Sequence, residues 1–436
     1  MTQYLIKNVS IEGAEPTDLA FKDGQIVGRG PQAAETVEDP QVIDGTNLVA
    51  LRGLVDLHTH LREPGGSAAE TVYTGTRSAA VGGYTCVHAM ANTSPVADNA
   101  LVVEKVLELG ERAGFVQVCP VGAVSKNLEG HALAELGAMN KSKAQVKVFS
   151  DDGKCVWDSA LMRRALEYVS TFDGVIAQHA QEPTLTAGSQ MNEGVVSGQL
   201  GLRGWPAAAE EIIVARDIIL AEHLNARVHV CHLSTAGSVR LVRDAKARGV
   251  KITAEATPHH LYLTDEQAHT LDARFKVNPP LRTENDRLAV LEGLRDGTID
   301  IVGTDHAPHP AQTKDCPWDE AAFGMTGLET ALPIIIKTMV QPGHFTWEQV
   351  VQVLSVNPAR IGGVSDQQGR PLEVGEPANL CLVDPSVTRV VDPDRQYSKS
   401  KNTPYAGMEL PGQVLYTFYQ GKMTVKEGRP VEEGIQ

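Results

Sequence analysis

Between Gly53 and Gly362 the chain alternates brief apolar runs with longer helical stretches, as in TVYTGTRSAAVGG followed by YTCVHAM. Few folds accept that texture. The apolar runs fall at residues 54–58, 84–89, 117–121, 145–149, 175–178, 227–231, 251–255 and 299–303. Strands that alternate with helices pair in parallel, because a parallel pair needs a long crossover and the helix provides it. Eight such units predict an α/β fold, a closed (β/α)8 TIM-like barrel spanning residues 53–362.

Both ends of the chain read differently. Short runs at 4–11, 18–21, 25–27 and 41–51 are separated by Lys22-Asp23-Gly24 and Asp44-Gly45, which predicts antiparallel strands. Strand-like runs return at 378–383, 387–391, 412–419 and 422–426. Neither end alone supplies enough strands to bury a face, so residues 1–52 and 363–436 are expected to build one small β-sandwich-like domain together.

Composition narrows the partners. Hydrophobic residues at 42% and charged residues at 21% fit a chain with a large core and exclude disorder as its main state. A net charge of −15 gives no electrostatic footprint for nucleic acid or an anionic membrane. The six cysteines include no CxxC pair and no regular spacing, which fits neither a disulfide framework nor a thiolate zinc site. With no signal-like N-terminus and no run of about 18 apolar residues, a cytoplasmic protein is expected.

The strongest local signal is GLVDLHTHLREPG, where an apolar strand runs straight into His58 and His60. Residues two apart share a strand face, so both imidazoles can converge on one metal at the C-terminal end of the strand. His179, His232 and Asp305 stand just past other apolar runs. Each alone reads as an ordinary capped residue. Together with His58 and His60 they place four imidazoles and a carboxylate at one rim, a donor set suited to a catalytic zinc, with nickel, manganese or cobalt as alternatives. FSDDG ends a further strand in Asp151 and Asp152; either one, or a carboxylated Lys147, could bridge two metals. His229 alternates with Cys231 and is expected to face the helices.

HTHLREPG, ANTSP at 91–95, FSDDG, TPHHL at 257–261, KVNPPLR at 276–282, GTDHAPH at 303–309 and FGMTGLET at 323–330 occur in order along almost the whole chain. Taken together they resemble the bacterial class I dihydroorotases of the amidohydrolase superfamily. The resemblance implies that His58, His60 and Asp305 hold one metal, that His179 and His232 hold a second, and that Asp152 bridges them, with one or two Zn2+ per subunit. It implies that Arg62, Asn92 and His309 hold the substrate carboxylate, that Asn278 contacts the ring, and that Phe323 and Gly324 complete the site. The implied reaction is the reversible hydrolysis of (S)-dihydroorotate to N-carbamoyl-L-aspartate in pyrimidine synthesis. Zinc would lower the pKa of its water from about 15.7 to about 7 and polarise the carbonyl, while Asp305 serves as general acid and base. The stretch 310–327 is expected to be a loop over this site.

Two competing functions follow from the same residues. Another cyclic amidohydrolase, such as an allantoinase or hydantoinase, would keep the metals and alter the carboxylate clamp. A catalytically silent partner of aspartate transcarbamoylase would be expected to have lost metal histidines, which this chain retains. Homodimerisation and association with the transcarbamoylase are left open by the sequence.

Overall fold

A computed structural model describes residues 2–432 of the chain; Met1 and residues 433–436, the tail of the expected composite domain, lie outside the described residues. The N-terminal strands are β1 (Tyr4–Ile11), β2 (Thr17–Lys22), β3 (Gln25–Arg29), β4 (Gln41–Asp44) and β5 (Val49–Arg52). The central strands are β6 (Leu54–Thr59), β7 (Tyr84–Ala89), β8 (Gln117–Pro120), β9 (Val148–Phe149) and β10 (Val175–Gln178). A small pair follows, β11 (Met191–Asn192) and β12 (Gly204–Trp205), and then β13 (Val228–Val230), β14 (Ile252–Ala256) and β15 (Ile301–Val302). The chain ends with β16 (Leu380–Val390), β17 (Glu409–Tyr419), β18 (Lys422–Lys426) and β19 (Arg429–Pro430).

The central strands form two parallel sheets, β6-β7-β8 and β15-β14-β13-β10-β9. Single parallel bridges join them at both seams, Gly122 to Phe149 on one side and Thr59 to His306 on the other. Leu57, Met90, Val121, Val148, Val175, Ala177, Cys231, Ile301 and Ile361 pack as one cluster between the sheets. Val228, Val230, Ile252, Ala254 and Ala256 instead join the larger cluster that includes helix residues such as Val214, Val242 and Val290. Sequence pattern explains the helices that cover this body. In the helix Ala100–Ala113 the buried positions are Val102, Val103, Val106, Gly110 and Ala113, one face of a 3.6-residue period. Asn99 caps its first turn by accepting from the Val102 N–H, and Gly114 ends it at φ 68°.

Two runs expected as full strands are short. The run expected at 145–149 is a strand only at Val148 and Phe149: Gln145 takes φ 46° and the Val146 N–H turns back to the Met139 carbonyl, while the Lys147 carbonyl still accepts the Val175 N–H at 2.9 Å. β15 itself spans only Ile301–Val302, although the Asp300 and Gly303 N–H groups on either side still donate to the Ala254 and Ala256 carbonyls; Thr304 then turns its N–H and hydroxyl to Asp56.

Both chain ends contribute to a single sheet of nine strands, ordered β19-β18-β17-β16-β5-β1-β2-β3, with β4 also on β1. The expectation of purely antiparallel strands at the N-terminus is corrected here: β1 pairs antiparallel with β2 but parallel with both β4 and β5. The cause is Asp44-Gly45-Thr46, which divides the run 41–51. There, a Cβ on Gly45 would meet Val9 at 2.7 Å, so only glycine lets the chain step across β1 without reversing. Tyr4 stacks on Phe21, and Phe418 meets both edge-on, at centroid distances of 4.8–5.2 Å in a separate apolar cluster. Val49, Cys381, Val383, Val414 and Val425 of the same sheet belong to the main cluster of the α/β body.

Candidate active site and metal centre

His58 and His60 end β6, and Asp152, His179, His232 and Asp305 follow β9, β10, β13 and β15 in turn, so all six lie at the C-terminal ends of parallel strands. They meet at Asp152. Its Oδ1 lies 3.3 Å from His58 Nε2, 3.2 Å from His179 Nδ1 and 3.3 Å from His232 Nε2, while its Oδ2 lies 3.2 Å from His60 Nε2. Asp305 Oδ1 approaches the same pair of imidazoles, 3.2 Å from His60 Nε2 and 3.5 Å from His58 Nε2. All six side chains are buried.

The other faces of the imidazoles fix which nitrogen carries the proton. His58 Nδ1 lies 2.6 Å from Glu255 Oε1, and Glu255 is kept ionised because His58 and His229 outweigh its burial. An ionised carboxylate only accepts, so Nδ1 donates, and the neutral ring that binds a metal turns its Nε2 lone pair inward. His60 Nδ1 donates to Asn92 Oδ1 at 2.9 Å, and His179 Nε2 donates to Gln181 Oε1 at 2.9 Å. Three rings therefore aim bare nitrogens at carboxylate oxygens. His179 Nδ1 and His232 Nε2 face each other at 2.8 Å. Inward lone pairs of this kind need a cation between them, and the donor set of imidazole nitrogen and carboxylate oxygen fits a divalent metal. Within these six residues, two groups that share Asp152 have metal-ligand spacing: His58, His60 and Asp152, and Asp152, His179 and His232.

The alternatives for the bridging position point elsewhere. Asp151 accepts from the Val124 and Ser125 N–H groups at 2.8 and 3.0 Å and from the Ser125 hydroxyl, and Lys147 is bound to Phe172. Backbone strain marks the rim: Arg62, His232 and Asp305 are non-glycine residues at φ 63°, 30° and 45°.

On the far side of Asp305, Arg62 donates from Nε to the Pro308 carbonyl at 3.2 Å, and its Nη2 lies 3.4 Å from His309 Nε2. Burial and the neighbouring guanidinium push His309 down to about 3, so it is a neutral ring that accepts from Arg62. Asn92, expected on the substrate carboxylate, uses its Oδ1 on His60 and keeps Nδ2 for other contacts. Asn278 donates to Gln181 Oε1 at 3.2 Å and leaves its buried Oδ1 without a partner. Phe323 lies under the Lys276 ammonium, 4.5 Å from the ring centroid. Gly324 sits at φ 144°, where a Cβ would meet His309 Nε2 at 2.7 Å. The segment after Asp305 is anchored: Lys314 is buried, and its ammonium donates to the carbonyls of Ala273, Lys276 and Ala322.

His229 corrects an expectation. It alternates with Cys231 as expected, but Cys231 belongs to the cluster between the sheets, and His229 Nε2 lies 3.5 Å from Glu255 Oε2. His229 therefore faces inwards. The positive φ of His232 breaks the alternation on which the opposite assignment rested. Glu255 and Gln181 were not anticipated as site residues. Glu255 had a legible signal, a carboxylate inside an apolar strand; Gln181 had none.

Residues 47–238 match the family described as Dihydro-orotase-like. A dihydroorotase of Streptomyces coelicolor is 57% identical over 98% of this chain and 100% of its own length. The chain belongs to the dihydroorotase family. A dihydroorotase of Mycobacterium tuberculosis is 50% identical over 98% of this chain and 99% of its own. Among solved structures, the L-hydantoinase (dihydropyrimidinase) of Arthrobacter aurescens superposes with a TM-score of 0.87 at 24% identity, covering 99% of this chain and 98% of that one. A dihydropyrimidinase of Brevibacillus agri gives a TM-score of 0.85 at 22% identity over 99% and 96%. At that identity the likeness is one of fold. The six cysteines of this dihydroorotase-family chain are free, and no helix among the described residues is long and apolar enough to cross a membrane.

Proposed function

We propose that this protein interconverts (S)-dihydroorotate and N-carbamoyl-L-aspartate by opening and closing a cyclic amide at the imidazole cluster. In this reading residues 53–362 are one (β/α)8 barrel closed by the bridges at its two seams, and residues 1–52 and 363–436 form a composite β-domain beside it. His58, His60 and Asp305 would hold one zinc ion, His179 and His232 a second, and Asp152 would lie between them. The metal supplies a nucleophile at neutral pH and polarises the carbonyl.

The protein's own groups do the rest. Glu255, Asn92 and Gln181 hold the imidazole tautomers that present lone pairs inward. Asp305, in contact with His60 and His58, receives the proton released by the attacking water and passes it to the departing ring nitrogen. In the synthetic direction it takes a proton from the carbamoyl nitrogen and ring closure expels water. Arg62 and neutral His309 grip the substrate carboxylate, with the planar guanidinium giving two parallel donors. Asn92 Nδ2 assists them, the unpartnered Asn278 Oδ1 accepts from the ring, and Phe323 and Gly324 close the far side.

The observation that carries this substrate is the Arg62–His309 pair beside Asp305, a fixed cationic clamp in a chain whose net charge is −15. The deciding experiment compares turnover of dihydroorotate, hydantoin and allantoin by the metal-loaded enzyme. Dihydroorotate should react, Arg62→Met should raise its KM, and chelation should abolish turnover until zinc is restored. Turnover of hydantoin or allantoin alone would overturn the proposal.

A further inference from the structure

The segment between β16 and β17 leaves the nine-stranded sheet and runs along the rim of the α/β body. The Tyr397 and Ser398 N–H groups donate to Glu329 Oε1 at 2.7 and 3.2 Å, the Lys399 N–H donates to Glu70 Oε1 at 3.0 Å, and the Ser400 hydroxyl donates to the Ala69 carbonyl at 2.6 Å. The strap then reaches Asn402. This side chain, 4% exposed, is held by the protein at both Nδ2 and Oδ1. Its Nδ2 donates to the Ala307 and Gly324 carbonyls, both at 3.1 Å, and its Oδ1 accepts the His309 N–H at 3.1 Å. Its backbone carbonyl accepts the Thr326 N–H at 3.2 Å.

We infer that Asn402 is a positioning residue for substrate-carboxylate recognition, delivered to the site by the C-terminal strap. The inference rests on the reading of Arg62 and His309 as the carboxylate clamp. One planar amide joins the two ends of the 307–324 loop, and both ends belong to the clamp. His309 is held by its own N–H, while Gly324, against whose Cα the His309 ring lies, is held by its carbonyl. With both Nδ2 hydrogens and Oδ1 engaged by backbone groups of the loop, Asn402 acts through His309 and not by touching substrate. A buried amide replaced by an apolar group leaves a donor and two acceptors unpaired, which is enough to let the loop end move away from Arg62.

Two variants and three readouts test this. In Asn402→Ala the KM for dihydroorotate should rise about tenfold or more, the size expected when buried partners are stranded, with kcat changed less than about threefold. Inhibition by dihydrouracil, which has the ring but no carboxylate, should be unchanged. Asn402→Asp keeps the acceptor for the His309 N–H but sets a carboxylate against two carbonyl oxygens, so its KM should rise at least as far. If the alanine variant does not fold, the isosteric aspartate decides. Amide hydrogen exchange across 307–324 should be faster in either variant. An unchanged KM, a parallel loss of dihydrouracil affinity, or unchanged exchange would overturn the inference. Failure of the wild type to turn over dihydroorotate would sink the functional reading instead, with the exchange experiment still deciding whether Asn402 clamps the loop.

Discussion

Four imidazoles and two carboxylates packed without solvent would be an unstable arrangement if each ring were free to choose its proton. The protein settles that choice from outside the cluster, and Glu255 is the strongest example because its charge forces His58 to donate from Nδ1. Glu255→Gln should therefore weaken metal affinity by about 10–100-fold, the usual cost of removing an orienting carboxylate; competition with a chelator measures it, and unchanged affinity would contradict the tautomer argument. Asp305→Asn keeps the size of the side chain and removes its proton-carrying capacity. It should lower kcat by about 10²–10⁴-fold, and near-normal turnover at full metal occupancy would exclude Asp305 as the proton carrier. His58, His60 and Asp305 were legible from the sequence because each stands at the end of an apolar run. Gln181 and Asn402 were not, since what makes them matter is contact with residues remote in sequence or with backbone groups of a distant loop.

At the scale of elements, the strands deliver their residues because both faces of the parallel sheets are buried, so that a single polar residue at a strand end stands out against the run before it. The covering helices carry buried charge as well. Asp217, inside the helix Ala208–Leu224, is fully buried, accepts from Gln178 Nε2 at 3.0 Å and pairs with Arg216. Burial, only partly offset by Arg216 and Gln178, pushes its carboxyl up from 3.8 to about 6. The folded state thus holds a proton in the window between those values, where the unfolded chain has released it, and stability falls as pH rises through that window. Between pH 4.5 and 7 the wild type should lose more stability than Asp217→Asn, with a difference on the order of 2 kcal/mol. Urea unfolding at the two pH values measures this, and equal slopes would refute it. The strand ends were the least legible feature: β9 begins late because the Gln145 and Val146 N–H groups bond back to Ser142 and Met139, and past β15 the chain turns to Asp56 at Thr304.

For the whole molecule, the important connection is that the nine-stranded sheet does not stand apart from the α/β body. Val49, Cys381, Val383, Val414 and Val425 share the main apolar cluster, and the strap at 397–402 pins Glu329, Glu70 and the 307–324 loop. Expressed alone, residues 53–362 should lose this cover and expose an apolar face. The fragment should aggregate or unfold without a cooperative transition, whereas the full chain should melt in one; a soluble, cooperatively folding fragment would show that the two parts are independent. The sequence by itself determined the repeating strand-helix order, the β-rich ends, the family and the imidazoles of the site, because each depends on local periodicity or on motifs read within a few residues. Only the tertiary structure decided that His229 faces inwards, that Glu255 and Gln181 bind the site imidazoles, and that an asparagine in the strap holds the loop at 307–324. Those outcomes depend on which distant groups a folded backbone brings within hydrogen-bonding distance, and neither spacing nor composition encodes such meetings.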